Sequence, residues 1–210
     1  MGLSTSAPLT RAVAFVDLEG GVKSVPIWDA AFVSEHTAMR MYAPHTKRQQ
    51  SAIRRSLGRG EEKKHLVSQA NMHAALADHV RASGPLTVVA WSSQEQRVLR
   101  RALPDDAFAQ LSFVDPLPWV RRTFKCSNNS LSYQGKDPDA LLPRLGVVNA
   151  HPHTALSDAR ALRDVCLAAM RRHHGEPKMS YAKCVDALLE CVCTPAWTLV
   201  PAPKDSVQML

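Results

Sequence analysis

No window of the chain comes near the ~18 uninterrupted apolar residues that a membrane helix requires, so no membrane association is expected. Met1 to Thr10 do not combine a basic start with an apolar core, and a secretory leader is not expected either. These absences predict an intracellular protein, cytoplasmic or nuclear, that is not secreted. Internal repeats and low-complexity tracts are also missing, and the composition excludes collagen, a long coiled coil and wholesale disorder. The cysteines form no framework: there are five, an odd number, at 126, 166, 184, 191 and 193. Reduced thiols, several of them in the core, are expected. Acid is the scarcer charge, 19 Asp and Glu against 26 Lys and Arg, a net +7 before nine histidines are counted. That excess predicts a polyanionic partner, since net charge bears on binding rather than on fold.

What is present describes one soluble domain. Hydrophobic residues make up 45% and charged residues 21% of 210 residues. A chain of this length buries about 70% of its unfolded surface, enough for a core without disulfide or metal. Ala12 to Val16 is a short apolar run that reads as a buried strand ending in Asp17-Leu18-Glu19 and the turn signal Gly20-Gly21. Residues 26–33 (PIWDAAFV) and 38–42 (AMRMY) complete an expected β-meander. Residues 47–64 carry seven Lys or Arg against Glu61 and Glu62, and read as a surface loop or a short helix.

Apolar residues from Leu66 to Val80 predict one face of a helix over His65 to Ala82. Leu86 to Trp91 and Leu111 to Val114 read as strands, separated by a helix capped by Ser92 or Ser93 and running to Leu103. Helices are expected over Pro138 to Leu145, Thr154 to Arg172 and Tyr181 to Val192. Strands alternating with helices after a meander predict an α/β domain with a mixed sheet. The expected division is a lead over 1–10, a domain over 11–175, and a C-terminal helix with an extended tail over 176–210.

Two short motifs carry chemistry. In Asp17-Leu18-Glu19 the acids are two apart on a strand, on the same side, with Cα atoms about 7 Å apart. Carboxylates so placed repel unless cations lie between them, and hard divalent ions take such oxygen ligands. In His153-Thr154-Ala155-Leu156-Ser157-Asp158 the acid falls in the first turn of a helix, while the histidine precedes it and can face the same cavity. An imidazole, with an ordinary pKa near ~6.5, suits the deprotonation of a water. Each motif also has a plain reading, as a solvated loop start and as a capped helix N-terminus with an idle histidine.

Taken together and in this order, they resemble the DEDDh 3′→5′ exonucleases, the proofreading-type exonucleases with an RNase H-like fold. Asp17 and Glu19 match the first motif of that family, and His153, Ala155, Asp158 and Ala159 match the third, His-x-Ala-x-x-Asp-Ala. The text NSLSYQGKDPDALLPRLGV resembles the approach to that third motif, and the resemblance spans about residues 11–172. The second motif departs: where the family has Asp at the start of a helix, VVAWSSQEQRVL places Glu95, or, in another alignment, Gln96. Trp91 stands four residues before Glu95, and Gly20-Gly21 replace the family's Thr-Thr-Gly.

The resemblance implies two-metal hydrolysis, with two Mg²⁺ or Mn²⁺ ions about 3.5–4 Å apart at the scissile phosphate. Asp17 would bridge both ions, Glu19 and Asp158 would serve one side and Glu95 the other, and His153 would take the water's proton. Leu18, Gly20 and Trp91 are the expected substrate contacts, with basic flanks at 47–64 and at Arg121, Arg122 and Lys125. The expected substrate is single-stranded DNA or RNA. The alternative is a catalytically weak RNase H-like module that binds nucleic acid or a partner protein. In either case the C-terminal helix could dock on a polymerase or on a second copy. His173, His174, Cys184, Cys191 and Cys193 lack a Cys-x₂-Cys knuckle, and Cys191 and Cys193 diverge by about 200° on a helix, so packing thiols rather than zinc are expected.

Overall fold

The computed structural model describes residues 12–21, 25–44, 46–56 and 66–193. The expected N-terminal lead, the end of the basic stretch (57–65) and the C-terminal tail (194–210) lie outside the described residues. The strands are β1 (Ala12–Glu19), β2 (Asp29–Val33), β3 (Ala38–Tyr42), β4 (Leu86–Val89) and β5 (Leu111–Val114). The helices are α1 (Lys47–Ser56), α2 (Met72–Ser83), α3 (Ser93–Ala102) and α4 (Asp105–Phe108), then α5 (Leu117–Phe124), α6 (Leu141–Leu145), α7 (Ala155–His174) and α8 (Tyr181–Cys193). None of the described helices is long and apolar enough to cross a membrane.

The five strands form one mixed sheet in the order β3-β2-β1-β4-β5. β1, β2 and β3 form the expected meander, with Asp17 opposite Ala31 and Glu19 opposite Asp29. β4 and β5 run parallel to β1. The α/β expectation therefore holds, with helices on both faces of the sheet.

The period-2 alternation of β1 assigns its two faces. Ala14, Val16 and Leu18 face one side, where they join Leu76 and Val80 of α2 and Val98 and Leu99 of α3. Phe15 faces the other side, with Trp119 and Val120 of α5, Leu162, Val165 and Met170 of α7, and Val185 and Leu188 of α8. Asp17 and Glu19 share the parity of Phe15 and continue that second face beyond the core. Ala155 and Ala159 pack on Ala31 and Val33, and side chains this small let the start of α7 approach the sheet closely. The C-terminal helix is thereby part of the second core: Cys184 is buried and its thiol lies 3.8 Å from the Met179 carbonyl.

Several expectations needed correction: the helix expected from Pro138 starts at Leu141, and α4 has no counterpart among the expected elements. The helix expected from His65 starts at Met72; Leu66 forms an isolated bridge with Tyr42, and a 3₁₀ turn covers Gln69–Asn71. The apolar pair Leu66-Val67 is spent on that sheet edge and not on a helix face. α5 was not foreseen at all; it begins in a proline-flanked segment, Pro116-Leu117-Pro118, where proline sits at the tolerated first positions of a helix.

Candidate metal centre

β1 outruns its parallel neighbour. The last pair between β1 and β4 is Phe15 with Val89, whereas the pairing with β2 continues to Glu19. Asp17 and Glu19 therefore project beyond the end of β4, at the point where the chain order turns from β2 on one side to β4 on the other. Crevices at such points are the usual ligand sites of open α/β sheets. Three further segments reach this crevice: the first turn of α3 with Glu95, the end of β5 with Asp115, and the loop entering α7.

That loop is tied down by its own polar groups. Asp158 is buried, and its carboxylate accepts from the Asn149 side-chain amide, from the backbone N–H of His153 at 3.1 Å and from Ser132 Oγ at 3.3 Å. Asn149 also donates to the Leu131 carbonyl at 2.8 Å and accepts from Ser157 Oγ at 2.6 Å. His153 adopts a left-handed conformation, φ 61°, uncommon for a residue with a Cβ. This bend lets its N–H point at Asp158 while its exposed ring stands near Glu19. Ligand atoms of Glu19, His153 and Asp158 all lie within 4.8 Å of one another. Two atoms on opposite sides of one Mg²⁺ would be about 4 Å apart, so the Glu19 and Asp158 carboxylates fit a single hard cation with little movement, and the His153 ring stands beside it.

The electrostatics also suit a cation. Burial, then Asp158, Glu19, Glu95 and Asp29, push the Asp17 carboxyl well above the usual carboxylate range. Burial, then Asp158, Asp29 and Glu95, push Glu19 up to about 7. Asp158 is raised by burial, against the pull of its hydrogen bonds from Asn149 and His153. Crowded carboxylates that resist ionising are stabilised as anions once a divalent ion sits among them.

Glu95 is buried near the N-terminus of α3 and accepts from Ser92 Oγ at 3.2 Å, while Ser92 also caps the helix through the N–H of Gln94. Burial raises its pKa, and the charges that act on it most are Asp115 and Arg97. Glu95 is thus close enough to perturb Asp17, and both Asp17 and Glu95 stand outside the Glu19–His153–Asp158 group.

The expected substrate contacts are placed as follows. Leu18 is buried on the opposite face of β1, in the first core. Gly20 has φ 92°, and a Cβ there would lie 2.2 Å from the Pro26 carbonyl oxygen, so the turn requires glycine. Trp91 packs against the second core and its indole N–H donates to the Asn129 carbonyl at 2.9 Å. Next to the turn, a cavity of about 260 Å³ is lined by Gly21, Pro26, Ile27, His73, Val98 and Arg101, among others.

Asp29, Asn149 and Ser132 are site residues that the motifs alone missed. The signal for Asp29 was an acid inside the apolar strand text IWDAAFV. Nothing near Asp158 in the sequence pointed to Asn149 or Ser132. No protein-family model matches the chain, and no curated protein matches it either.

Proposed function

We propose that this chain is a metal-dependent 3′→5′ exonuclease of the RNase H-like DEDDh kind, releasing nucleoside 5′-monophosphates from single-stranded DNA or RNA. The observation that carries this reading is the convergence of Glu19, His153 and Asp158, from opposite ends of the domain, at one crevice of the sheet, with Asp17 close enough to feel the charges of Asp158 and Glu19. The strand order, with β2 antiparallel to the rest of its neighbours, supports the RNase H-like assignment.

Glu19 and Asp158 would hold one Mg²⁺ or Mn²⁺, and Asp17, with Glu95, a second. When bound, such ions polarise the phosphate and acidify a water. The chain's own residues do the rest. His153, exposed at the lip of the crevice, accepts the proton of the attacking water at a ring nitrogen. The water oxygen bonds to phosphorus, the bond from phosphorus to the 3′ oxygen breaks, and that oxygen leaves as a hydroxyl after taking a proton from solvent. Asn149 and Ser132 keep Asp158 aimed at the crevice, and the apolar-floored cavity beside Gly21 gives the terminal base a place to lie.

One observation favours the second reading, a catalytically weak binding module: Glu95 is tied to Ser92 and, like Asp17, stands apart from the tight ligand group. The two readings separate on 5′-labelled single-stranded DNA and RNA incubated with Mg²⁺, Mn²⁺ or EDTA. The exonuclease reading expects a metal-dependent ladder shortening from the 3′ end, abolished in folded Asp17→Asn and reduced at least tenfold in Glu95→Gln. Intact substrate in both metals, with binding retained, would replace it with the binding module.

A further inference from the structure

The sequence marks Arg121, Arg122 and Lys125 as a basic group, and the fold enlarges it. Three helix ends meet on this side of the molecule. Trp119 of α5 lies edge-on against His173 of α7, with ring centroids 5.6 Å apart. Arg172 of α7 donates through Nη1 to the carbonyl of Arg144 at the end of α6, at 2.8 Å. Cys126, the residue after Lys125, feels both Arg144 and Arg172. Five cations are thereby gathered: Arg121, Arg122, Lys125, Arg144 and Arg172. Asp139, 4.0 Å from Arg144, is the acid paired with this group. Among the described residues, Arg121, Lys125 and Arg172 have no carboxylate partner within ion-pair distance.

Cations at helix C-termini answer the helix dipole, but that effect accounts for one or two at each end and does not bring three ends to one place. The group also has a direction. α5 starts beside Asp115, whose carboxylate accepts from the Leu117 N–H at 2.9 Å, and Arg121 lies four residues further on, so the near end of the group adjoins the crevice. Arg121 lies in the last turn of α5, and Lys125 is the left-handed residue that caps the helix, its N–H donating to the Arg121 carbonyl at 3.2 Å. Arg172 lies fourteen residues along α7 from Asp158, about 21 Å at 1.5 Å per residue.

We propose that this ridge, from Arg121 through Lys125 to Arg172, is a track for the sugar-phosphate backbone of the same single strand whose 3′ end occupies the carboxylate crevice. The inference rests on the exonuclease reading and adds to it a substrate length. About 21 Å corresponds to roughly six stacked nucleotides at ~3.4 Å each. Strands shorter than this leave the far end of the track empty.

The test is equilibrium binding of 5′-fluorescein oligothymidylates and oligouridylates of 3, 6, 9 and 12 nucleotides to the full-length protein in EDTA, where no cleavage intervenes. The variants are Arg121→Gln/Lys125→Gln/Arg172→Gln and, on the rival basic flank that the sequence also marks, Lys47→Gln/Arg48→Gln on α1. Affinity is expected to rise about tenfold or more from 3 to 9 nucleotides and then level off. The ridge variant should lose that gain, while its 3-mer binding, which reaches only the Arg121 end, should weaken far less than its 9-mer binding. Its salt slope on the 9-mer should fall by about 2, for three lost single-strand phosphate contacts. Length-independent binding would overturn the track, as would a gain removed by the α1 variant and kept by the ridge variant. Equal loss of polyglutamate binding, without any length effect on oligonucleotides, would assign the ridge to an acidic protein and overturn it too. The ladder assay decides the nuclease reading separately, and neither result implies the other.

Discussion

Asp29 and Arg40 form a fully buried, two-pronged ion pair across β2 and β3, with Nε to Oδ1 at 2.9 Å and Nη2 to Oδ2 at 2.6 Å. The same Oδ2 accepts from the N–H of Ala155 at 3.0 Å, the first residue of α7. Thr154, at the N-cap position, makes no side-chain cap bond, so an aspartate from a distant strand serves in its place. This contact fixes where α7 begins, and Asp158 is three residues further on. The ion pair therefore sets the height of Asp158 over the sheet.

Removing one partner should show this. Arg40→Met leaves a buried carboxylate with the Ala155 N–H as its donor, and should cost about 3–5 kcal/mol in urea unfolding. The double variant Asp29→Asn/Arg40→Met removes the charge as well and should recover much of the loss. A double variant no more stable than Arg40→Met would show that the pair contributes through packing alone.

The crowding of carboxylates predicts the pH response of the metal-free protein. Glu19 rises from 4.5 to about 7 on folding, so the folded state holds its proton more tightly than the unfolded chain. Stability from this group is complete below about pH 4.5 and is lost as pH climbs through about 7, an effect on the order of 3 kcal/mol at most. Asp17, Glu95 and Asp158 shift in the same direction. His79, lowered by burial, acts in the opposite sense, so the comparison is parent against Glu19→Gln. In EDTA, the melting temperature of the parent should fall relative to Glu19→Gln between pH 4.5 and 7.5, and saturating Mn²⁺ should reverse the order. Parallel curves for the two proteins in EDTA would remove the case for a strained Glu19.

How much of this was legible beforehand depends on the range of the interaction. The alternation of β1 placed Asp17 and Glu19 on one face, and the helix start at Asp158 followed from a local pattern. Local rules also located β4, β5 and the Ser92 cap. They failed where tertiary contacts decide: Leu66 and Val67 look helical until Tyr42 pairs with that segment, and Pro118 hides the start of α5. The supports of Asp158 are 9 and 26 residues away, at Asn149 and Ser132, and no periodicity reports such distances. Asp29 and Arg40 left a signal in the sequence that the motifs did not use. Each is a charge inside an apolar strand text, and two such anomalies on adjacent strands call for one another.

The turn after Glu19 predicts a contrast between two glycines. Gly20 (φ 92°) has the Pro26 carbonyl where a Cβ would go, whereas Gly84 (φ 66°) has open space around it. Gly84→Ala should incur only the backbone cost of its φ 66°, ψ −158° conformation, about 1–3 kcal/mol. Gly20→Ala adds a steric clash and should exceed it by about 1–3 kcal/mol. Because Pro26 lines the cavity beside the turn, Gly20→Ala should also weaken oligonucleotide binding while Gly84→Ala leaves it unchanged. Equal unfolding costs for the two would show that the turn relaxes freely.

Asn149 offers the sharpest separation of positioning from ligation, because its side chain bonds Asp158, Leu131 and Ser157 without belonging to the ligand group. Without its amide, Asp158 loses the largest of the hydrogen bonds that favour its ionised form, and its pKa should rise further. A cation must then displace a more tightly held proton from a less well aimed carboxylate. Asn149→Ala should therefore weaken Mn²⁺ binding about 10–100-fold near neutral pH, as removal of such supporting contacts commonly does. The deficit should shrink as pH rises and Asp158 ionises. Ser132→Ala, losing a longer 3.3 Å bond, should show a smaller effect of the same kind. Isothermal titration of each folded variant with Mn²⁺ from pH 6 to 9 measures both. A deficit that stays constant across that range would mean Asn149 acts on the shape of the loop and not on the charge of Asp158.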